Sequence, residues 1–323
     1  MRQWAPRALE GTGWLAAAAL LALSATQWIG SDSRILIAVV QALTPWLLVV
    51  GAALIGVPAA FTRRRALALA VCPALITGVV LAAPIVNHPT PPSTTGDEPT
   101  LSIFFANALF SNRTPAAAAT AIEAAHADVL VMAEFTPELR AELDTAVGAT
   151  YPYRVERPAP APSSNGIALW STVPFESGSV IDVARRPTAD VRFSLGGVPV
   201  RILGVHTAPP THDAGYWGEQ LDAIGVTADG TDVRTVVIGD FNGSRWHPSF
   251  RSLLDRGFTD AHEALGEGWS VSWPTDEGWF PPPFVRLDHA LYRHGLSPLG
   301  IRDITVPGSD HRGFVVTFAV TGS

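Results

Sequence analysis

Two regimes of hydrophobic patterning divide the chain. Up to residue 86 apolar residues run almost unbroken, and from residue 100 onward they come in short runs separated by polar turns. The first regime holds three apolar stretches, 11–30, 35–61 and 66–86. A hydrocarbon core of roughly 30 Å takes about 20 helical residues to cross. The second and third stretches reach that length alone and the first does so with its flanks, so the pattern predicts three transmembrane helices. Trp14, Trp28 and Trp46 are placed to sit near the interfaces. A cleaved signal peptide is the other reading of the first stretch, and buried core helices the other reading of all three.

In the second regime the runs read as alternating strands and helices. Strands are expected at 100–106, 128–133, 151–156, 166–171, 191–195, 198–205, 235–238, 285–292 and 314–319. Helices are expected at 114–127, 137–147, 217–228 and 246–256, the first opened by Thr114-Pro115. Gly196-Gly197 signals a two-residue hairpin. Pro174 is expected to stop the strand that ends at Ser171, and Asp288 is expected in the middle of its strand.

Charge orients the first regime. Arg2 and Arg7 precede the first stretch, and Arg63, Arg64 and Arg65 lie between the second and third. The positive-inside rule puts both groups in the cytoplasm. Three crossings then leave everything after Val86 outside, on a multi-pass protein of the cell membrane. The Pro/Thr/Ser-rich stretch 87–99 reads as a semi-extended linker, so the chain divides into an anchor (1–86), a linker (87–99) and an outer domain (100–323). All 22 basic residues are arginine, the net charge is −7, and no basic run exceeds three residues. The broad positive footprint of a duplex-binding protein is missing. The single cysteine, Cys72, excludes a disulfide within the chain.

Candidate chemistry collects where strands end. Asn107, Glu134, His206, Asp240 and Asn242 each follow an apolar run, Asp288 lies within one, and Asp310-His311 precedes the last. Each has a plainer reading alone: a turn residue for Asn107, a helix-capping acid for Glu134, a structural histidine, an Asx turn, a polar loop. Together they hold the parts a phosphoester hydrolase requires. Asn107, Glu134 and Asp310 are oxygen ligands suited to a hard cation such as Mg²⁺. Asp240 can activate a water. His206, His311 and Asn242 can donate to a phosphoryl group as charge builds. Asp288 bonded to the far nitrogen of His311 would fix its tautomer and favour its cation.

In order, Asn107, Met132-Ala-Glu134, Gly166-Ile-Ala-Leu-Trp-Ser171, His206, Gly239-Asp-Phe-Asn242, Arg286-Leu-Asp-His289 and Ser309-Asp-His-Arg312 resemble the endonuclease/exonuclease/phosphatase superfamily. That family includes deoxyribonuclease I, apurinic endonucleases, neutral sphingomyelinases and inositol-phosphate phosphatases. The resemblance covers roughly 101–318. It implies a two-sheet α/β sandwich with outer helices, and cleavage of a phosphoester with Mg²⁺ or Mn²⁺ and no covalent intermediate. Carried over, Asn107 and Glu134 hold the metal with Asp310 nearby, Asp240 activates water, Asn242 and His206 hold phosphate, and Asp288 pairs with His311. Two departures stand out. An acid partner for His206 is wanted, for which Glu156 is the candidate, and Ala133 occupies the position of the usual Gln before the metal-binding Glu. The expected protein is thus a membrane-anchored, Mg²⁺-dependent phosphoesterase. Its partners are a phosphoester and the lipid bilayer, with nucleic acid open as a substrate. The alternative is a binding or sensor module that keeps the fold without turnover.

Overall fold

The computed structural model describes residues 4–321 apart from 31, 63, 89, 92, 231–232, 276–281 and 294. The domain from residue 100 onward, the one expected to lie outside, is two six-stranded sheets packed face to face. Its strands are β1 (Thr100–Asn107), β2 (Val129–Ala133), β3 (Tyr153–Arg157), β4 (Ile167–Ser171), β5 (Phe175–Val183), β6 (Arg186–Leu195), β7 (Val198–His206), β8 (Arg234–Asp240), β9 (Thr259–Asp260), β10 (Asp288–Arg293), β11 (Leu296–Thr305) and β12 (Arg312–Val320). One sheet has the order β11-β12-β1-β2-β4-β3 and the other β5-β6-β7-β8-β10-β9. Each has one parallel pair near its centre, β1 with β2 and β7 with β8, and antiparallel neighbours elsewhere.

The sheets meet over one apolar core that includes Phe105, Val131, Phe193, Ile202, Ile238, Phe314 and Phe318. Phe175 and Phe193 meet edge to face with centroids 6.0 Å apart. Emptying such a site by Phe→Ala costs about 3–5 kcal/mol. Helices cover both outer faces. Pro115–Glu123 and Pro137–Val147 pack on the first sheet through Ile122, Leu139 and Leu143, over Phe104, Leu130 and Trp170. Ala214–Asp229 and Pro248–Asp255 pack on the second through Trp217, Leu221, Phe250 and Leu253.

Three strands go beyond the sequence expectation, one of them the two-residue β9. β5 begins directly after Pro174 as an edge strand of the other sheet, exposed through Glu176-Ser-Gly-Ser179, and β11 is an edge strand bulged between Pro298 and Gly300. Neither carries the apolar alternation that marks a half-buried strand. Asp288 opens β10 instead of lying mid-strand, and its Cα partner is Asp240, the last residue of β8.

The N-terminal region departs further. It comprises α1 (Trp4–Trp28), α2 (Ile35–Ala42), a π-helical segment Pro45–Gly51 that runs into α3 (Ala52–Phe61), α4 (Arg65–Ala70) and α5 (Cys72–Val86). Among the described residues, one helical run, Arg65–Val86, is long and apolar enough to cross a membrane. The pair 35–42 and 45–61 makes a second only if taken as one span, and it bends by 62°. α1 carries Ser24, Thr26 and Gln27, and among the described residues at most two such spans are found where three were expected. The bend in the second stretch has a local cause. Pro45 lacks the N–H that would continue the helix, Leu43 before it leaves helical backbone with ψ of 9°, and the buried Gln41 and Thr44 bond to Thr26 and Gln27 of α1.

These helices pack through Ala17, Leu20, Leu23, Leu48 and Leu67. Their outward residues are apolar too: Leu36, Leu54, Phe61 and Leu69 are 70–85% exposed. Glu10 pairs with Arg64 at 3.8 Å, while Gln27 on the same helix bonds to the Trp246 carbonyl of the outer domain. At 1.5 Å per residue these contacts lie about 25 Å apart along α1. Arg64, with Arg65 next to it, therefore sits at the end of the bundle away from the outer domain; Arg63 lies outside the described residues. The 87–99 stretch carries no regular element among its described residues.

Candidate active site

Strand direction builds the site. β1, β2, β7 and β8 all end at one rim of the sandwich, presenting Asn107, Glu134, His206 and Asp240. β12 is antiparallel to β1 and β10 to β8, so their starts lie at the same rim, bringing Asp310-His311 and Asp288. All but Asp288 line one cleft of about 460 Å³, and Asn242 lines it as well. Asp288 lies fully buried behind His311.

Close backbone approach underlies the packing here. A Cβ on Gly239 would stand 2.1 Å from the Val205 carbonyl oxygen, so only glycine lets β8 lie against β7 immediately before Asp240. Glu134 and Asn242 hold left-handed backbone, with φ of 53° and 45°. Such conformations cost non-glycine residues of order 1–3 kcal/mol and concentrate where function constrains the chain.

The side chains are interlocked. The Asn107 amide donates to Glu134 Oε1 at 3.1 Å and to Asp240 Oδ2 at 3.0 Å. The Phe110 N–H donates to Glu134 Oε2 at 2.7 Å, and the Asn242 N–H to Asp240 Oδ1 at 2.8 Å. The Asn242 amide donates to the Thr207 carbonyl at 3.0 Å. Trp273 Nε1 donates to Asp310 Oδ2 at 3.2 Å. The Ser309 hydroxyl donates to the Asn107 carbonyl at 2.7 Å and accepts from the His311 N–H at 3.0 Å, tying the loop to β1.

The two histidines are driven in opposite directions. Burial disfavours charge on His311, but the Asp288 and Asp240 carboxylates and the 2.8 Å bond from Nδ1 to Asp288 outweigh it, raising its pKa to about 10. It is an imidazolium at neutral pH, with Nε2 facing Asp240 at 3.9 Å and Asp310 at 4.0 Å. Burial pushes His206 down to about 4, only partly opposed by Asp240. Its Nδ1 lies 3.1 Å from the Ser164 carbonyl and donates to it. Nε2 of the neutral ring is then a lone pair, 3.7 Å from both Glu134 and Asp240. His206 therefore accepts hydrogen bonds at neutral pH, where the sequence had suggested a donor.

Glu156 is not its partner. It accepts from Arg140 Nε at 2.6 Å and from Trp170 Nε1 at 2.8 Å, remote from His206. A main-chain carbonyl fills the orienting role, and no sequence pattern announces a carbonyl. Arg186 was missed as well. It opens β6, antiparallel to β7, so it lies at the rim and its charge is felt by Glu134 and Asp240. Leu109, Phe110, Trp273 and Phe284 also line the cleft, as do Ala38, Val39, Ala42 and Leu43 from the N-terminal region.

The donors suit a hard divalent cation. Burial raises the pKa of Glu134 and of Asp240, although hydrogen bonds and the His311 charge act against it. Three carboxylates, those of Glu134, Asp240 and Asp310, face a cleft that no arginine lines among the described residues. An oxygen-rich, under-neutralised pocket of this kind is what Mg²⁺ takes. Asp240, Asp288 and His311 also place ligand atoms within 4.8 Å of one another. There, however, the imidazolium already neutralises Asp288 and has no lone pair to give, which favours the Glu134 side.

Residues 104–311 match the Endonuclease/Exonuclease/phosphatase family. No curated protein matches the chain in sequence. Among solved structures, a humanized D. rerio TDP2 superposes with a TM-score of 0.58 at 17% identity, over 68% of this chain and 98% of that one. Sphingomyelinase C from Streptomyces griseocarneus gives 0.51 at 18%, over 68% and 99%. An endonuclease/exonuclease/phosphatase from Beutenbergia cavernae gives 0.53 at 20%, over 69% and 72%. These likenesses concern the fold, whereas the family match spans well over half the chain and runs from β1 to His311. The chain belongs to the endonuclease/exonuclease/phosphatase family.

Proposed function

We propose that the protein is a membrane-anchored phosphoesterase, dependent on Mg²⁺ or Mn²⁺, that hydrolyses a phosphoester by direct attack of water. The observation that carries this reading is the convergence of one imidazolium, one neutral imidazole, three carboxylates and two amides in a single cleft. Glu134, Asn107 and Asp310 would hold the metal, which when bound supplies charge that polarises the phosphoryl group and neutralises the leaving oxygen.

The chain's own residues do the rest. Asp240 is held by the Asn107 amide and the Asn242 N–H, and its raised pKa suits it to take a proton from the attacking water. His311 presents a charged N–H toward the cleft, where it can meet a phosphoryl oxygen as negative charge develops. Asp288 keeps that charge and fixes the ring. His206, neutral and anchored on Ser164, can accept from water or a substrate hydroxyl.

Membrane anchoring draws support from the outward-facing apolar residues of the N-terminal helices. Monomeric soluble proteins rarely expose such contiguous patches. Arg64, at the end remote from the outer domain, agrees with a cytoplasmic N-terminus and an outer domain beyond the membrane. The test is hydrolysis by the full chain of bis-para-nitrophenyl phosphate, plasmid DNA and phospholipid vesicles, with Mg²⁺, Mn²⁺ or chelator. Metal-dependent cleavage is expected. Metal binding without cleavage of any of these esters would turn the reading to a non-catalytic module.

A further inference from the structure

The second apolar stretch does not run straight. The 62° bend sets α2 apart from the helix after it, and α2 lies against the outer domain as one wall of the catalytic cleft. Its placement is specific. Asp32, just before it, accepts from the Ser249 N–H at 2.7 Å and the Ser249 hydroxyl at 2.6 Å. His247 Nε2 lies 3.0 Å from the Ala38 carbonyl. Burial pushes this ring toward neutrality, so it stands as a buried polar contact between the two parts of the chain. Gln27 bonds to the Trp246 carbonyl and accepts from Arg251 at 2.9 Å. Buried polar contacts with this geometry hold an orientation as well as adding stability.

The wall they hold is apolar. Val39 and Leu43 line the cleft together with Leu109, Phe110 and Phe284 and with the polar Asn107 and Asp240. Val39 is 41% exposed, and Leu36, one turn away on α2, is 75% exposed in line with the apolar exterior of the bundle. An apolar track thus runs from the outer surface of the anchor to the phosphoryl-binding residues. A nucleic acid strand needs a cationic groove along its backbone; Arg186 stands singly at the rim, and no arginine lines the cleft itself among the described residues.

We infer that the substrate is an amphiphilic phosphoester from the membrane, whose hydrocarbon chain lies between α2 and the Leu109–Phe110 loop while its phosphate sits at Asp240 and His311. The inference rests on the phosphoesterase reading and deepens it. In the reaction one P–O ester bond breaks, the water oxygen joins phosphorus and one water proton passes to Asp240; the leaving oxygen takes a proton from solvent to become an alcohol, and Asp240 returns its proton to solvent. α2 is then a specificity element, and the anchor is part of the enzyme rather than a tether.

The test uses the full chain in lipid nanodiscs with Mg²⁺ and two esters that react identically, methyl and octyl para-nitrophenyl phosphate. Burying one methylene is worth roughly fourfold in binding, so a few ordered methylenes predict an octyl-over-methyl ratio in kcat/KM above about tenfold. In V39N and L43N that ratio falls at least fivefold. In L54A, altered on the outward face of α3, it stays as in the wild type. Taking the ratio within each variant cancels any loss of folded protein, and L43A repeats the test more gently. Equal rates on both esters, a ratio unmoved by the α2 substitutions, or faster cleavage of a single-stranded oligonucleotide would overturn the inference while leaving a phosphoesterase. No cleavage of either ester or of bis-para-nitrophenyl phosphate would remove both readings.

Discussion

The substitution D288N isolates the charge on His311. Asn is isosteric and still accepts from Nδ1, so the ring keeps its tautomer and position. It loses the carboxylate that, with Asp240, lifts the pKa to about 10 against the pull of burial. At pH 7.5 the wild-type ring is almost wholly charged, whereas an imidazole at its ordinary value of about 6.5 would be charged roughly one time in ten, and burial lowers that further. Loss of one preorganised donor to a developing oxyanion typically costs 10²–10³ in kcat, about 2.7–4 kcal/mol. The expected result is a fall in kcat of about 10²–10³ at pH 7.5 with a smaller change in KM, read on bis-para-nitrophenyl phosphate. The pH profile carries the stricter test. Wild-type activity should hold until the pH nears the folded pKa of His311, whereas D288N should gain activity as the pH drops from 8 to 6. A loss below about threefold, or an unchanged profile, would refute a charged His311 as the hydrogen-bond donor to the phosphoryl oxygen.

Further predictions follow from the same geometry. His206 and His247 are buried neutral with pKa values near 4; below about 6.5 the unfolded chain binds protons that the folded chain does not, so stability is lost as pH falls from 6.5 through 4, and denaturation of H206N/H247N should show a shallower slope there. For His311 the sign is reversed: between 6.5 and 10 the folded state holds the extra proton, so the pair's contribution fades as pH rises, and D288N should lose less stability than wild type between pH 7 and 9. Mg²⁺ at 100 times its Kd should stabilise the metal-stripped chain by about 2.7 kcal/mol, and E134Q should lose most of that shift in thermal denaturation. G239A must push β7 and β8 apart and should cost about 1–3 kcal/mol or more, measurable by urea unfolding.

The central strands were legible because they are buried on both faces and read as unbroken apolar runs. β2 and β8 are of this kind, and Glu134 and Asp240 follow directly at their ends. The edge strands β5 and β11 were not, because solvent on one side removes the demand for apolar alternation. Asp288 was placed in a strand, but its position opposite Asp240 depends on register, which no local pattern holds. The Ser164 carbonyl that orients His206 is backbone, and a backbone acceptor has no letter in a sequence. Arg186 reached the rim through hairpin topology alone. The largest gap concerned α2. Its residues are as apolar as those of a crossing helix, and only Thr44-Pro45 hinted that the stretch would turn. That it becomes a wall of the cleft follows from contacts such as Asp32 with Ser249, more than two hundred residues away in the chain.

The most direct test of the account is the rate at which the purified full chain cleaves bis-para-nitrophenyl phosphate with saturating Mg²⁺, for wild type and D240N side by side. General-base catalysis typically contributes 10²–10⁴-fold. The account predicts chelator-sensitive turnover by the wild type and a loss of that size in D240N, with Mg²⁺ still raising the melting temperature of the variant. Turnover by D240N within a few-fold of wild type, or turnover indifferent to chelator, would contradict it.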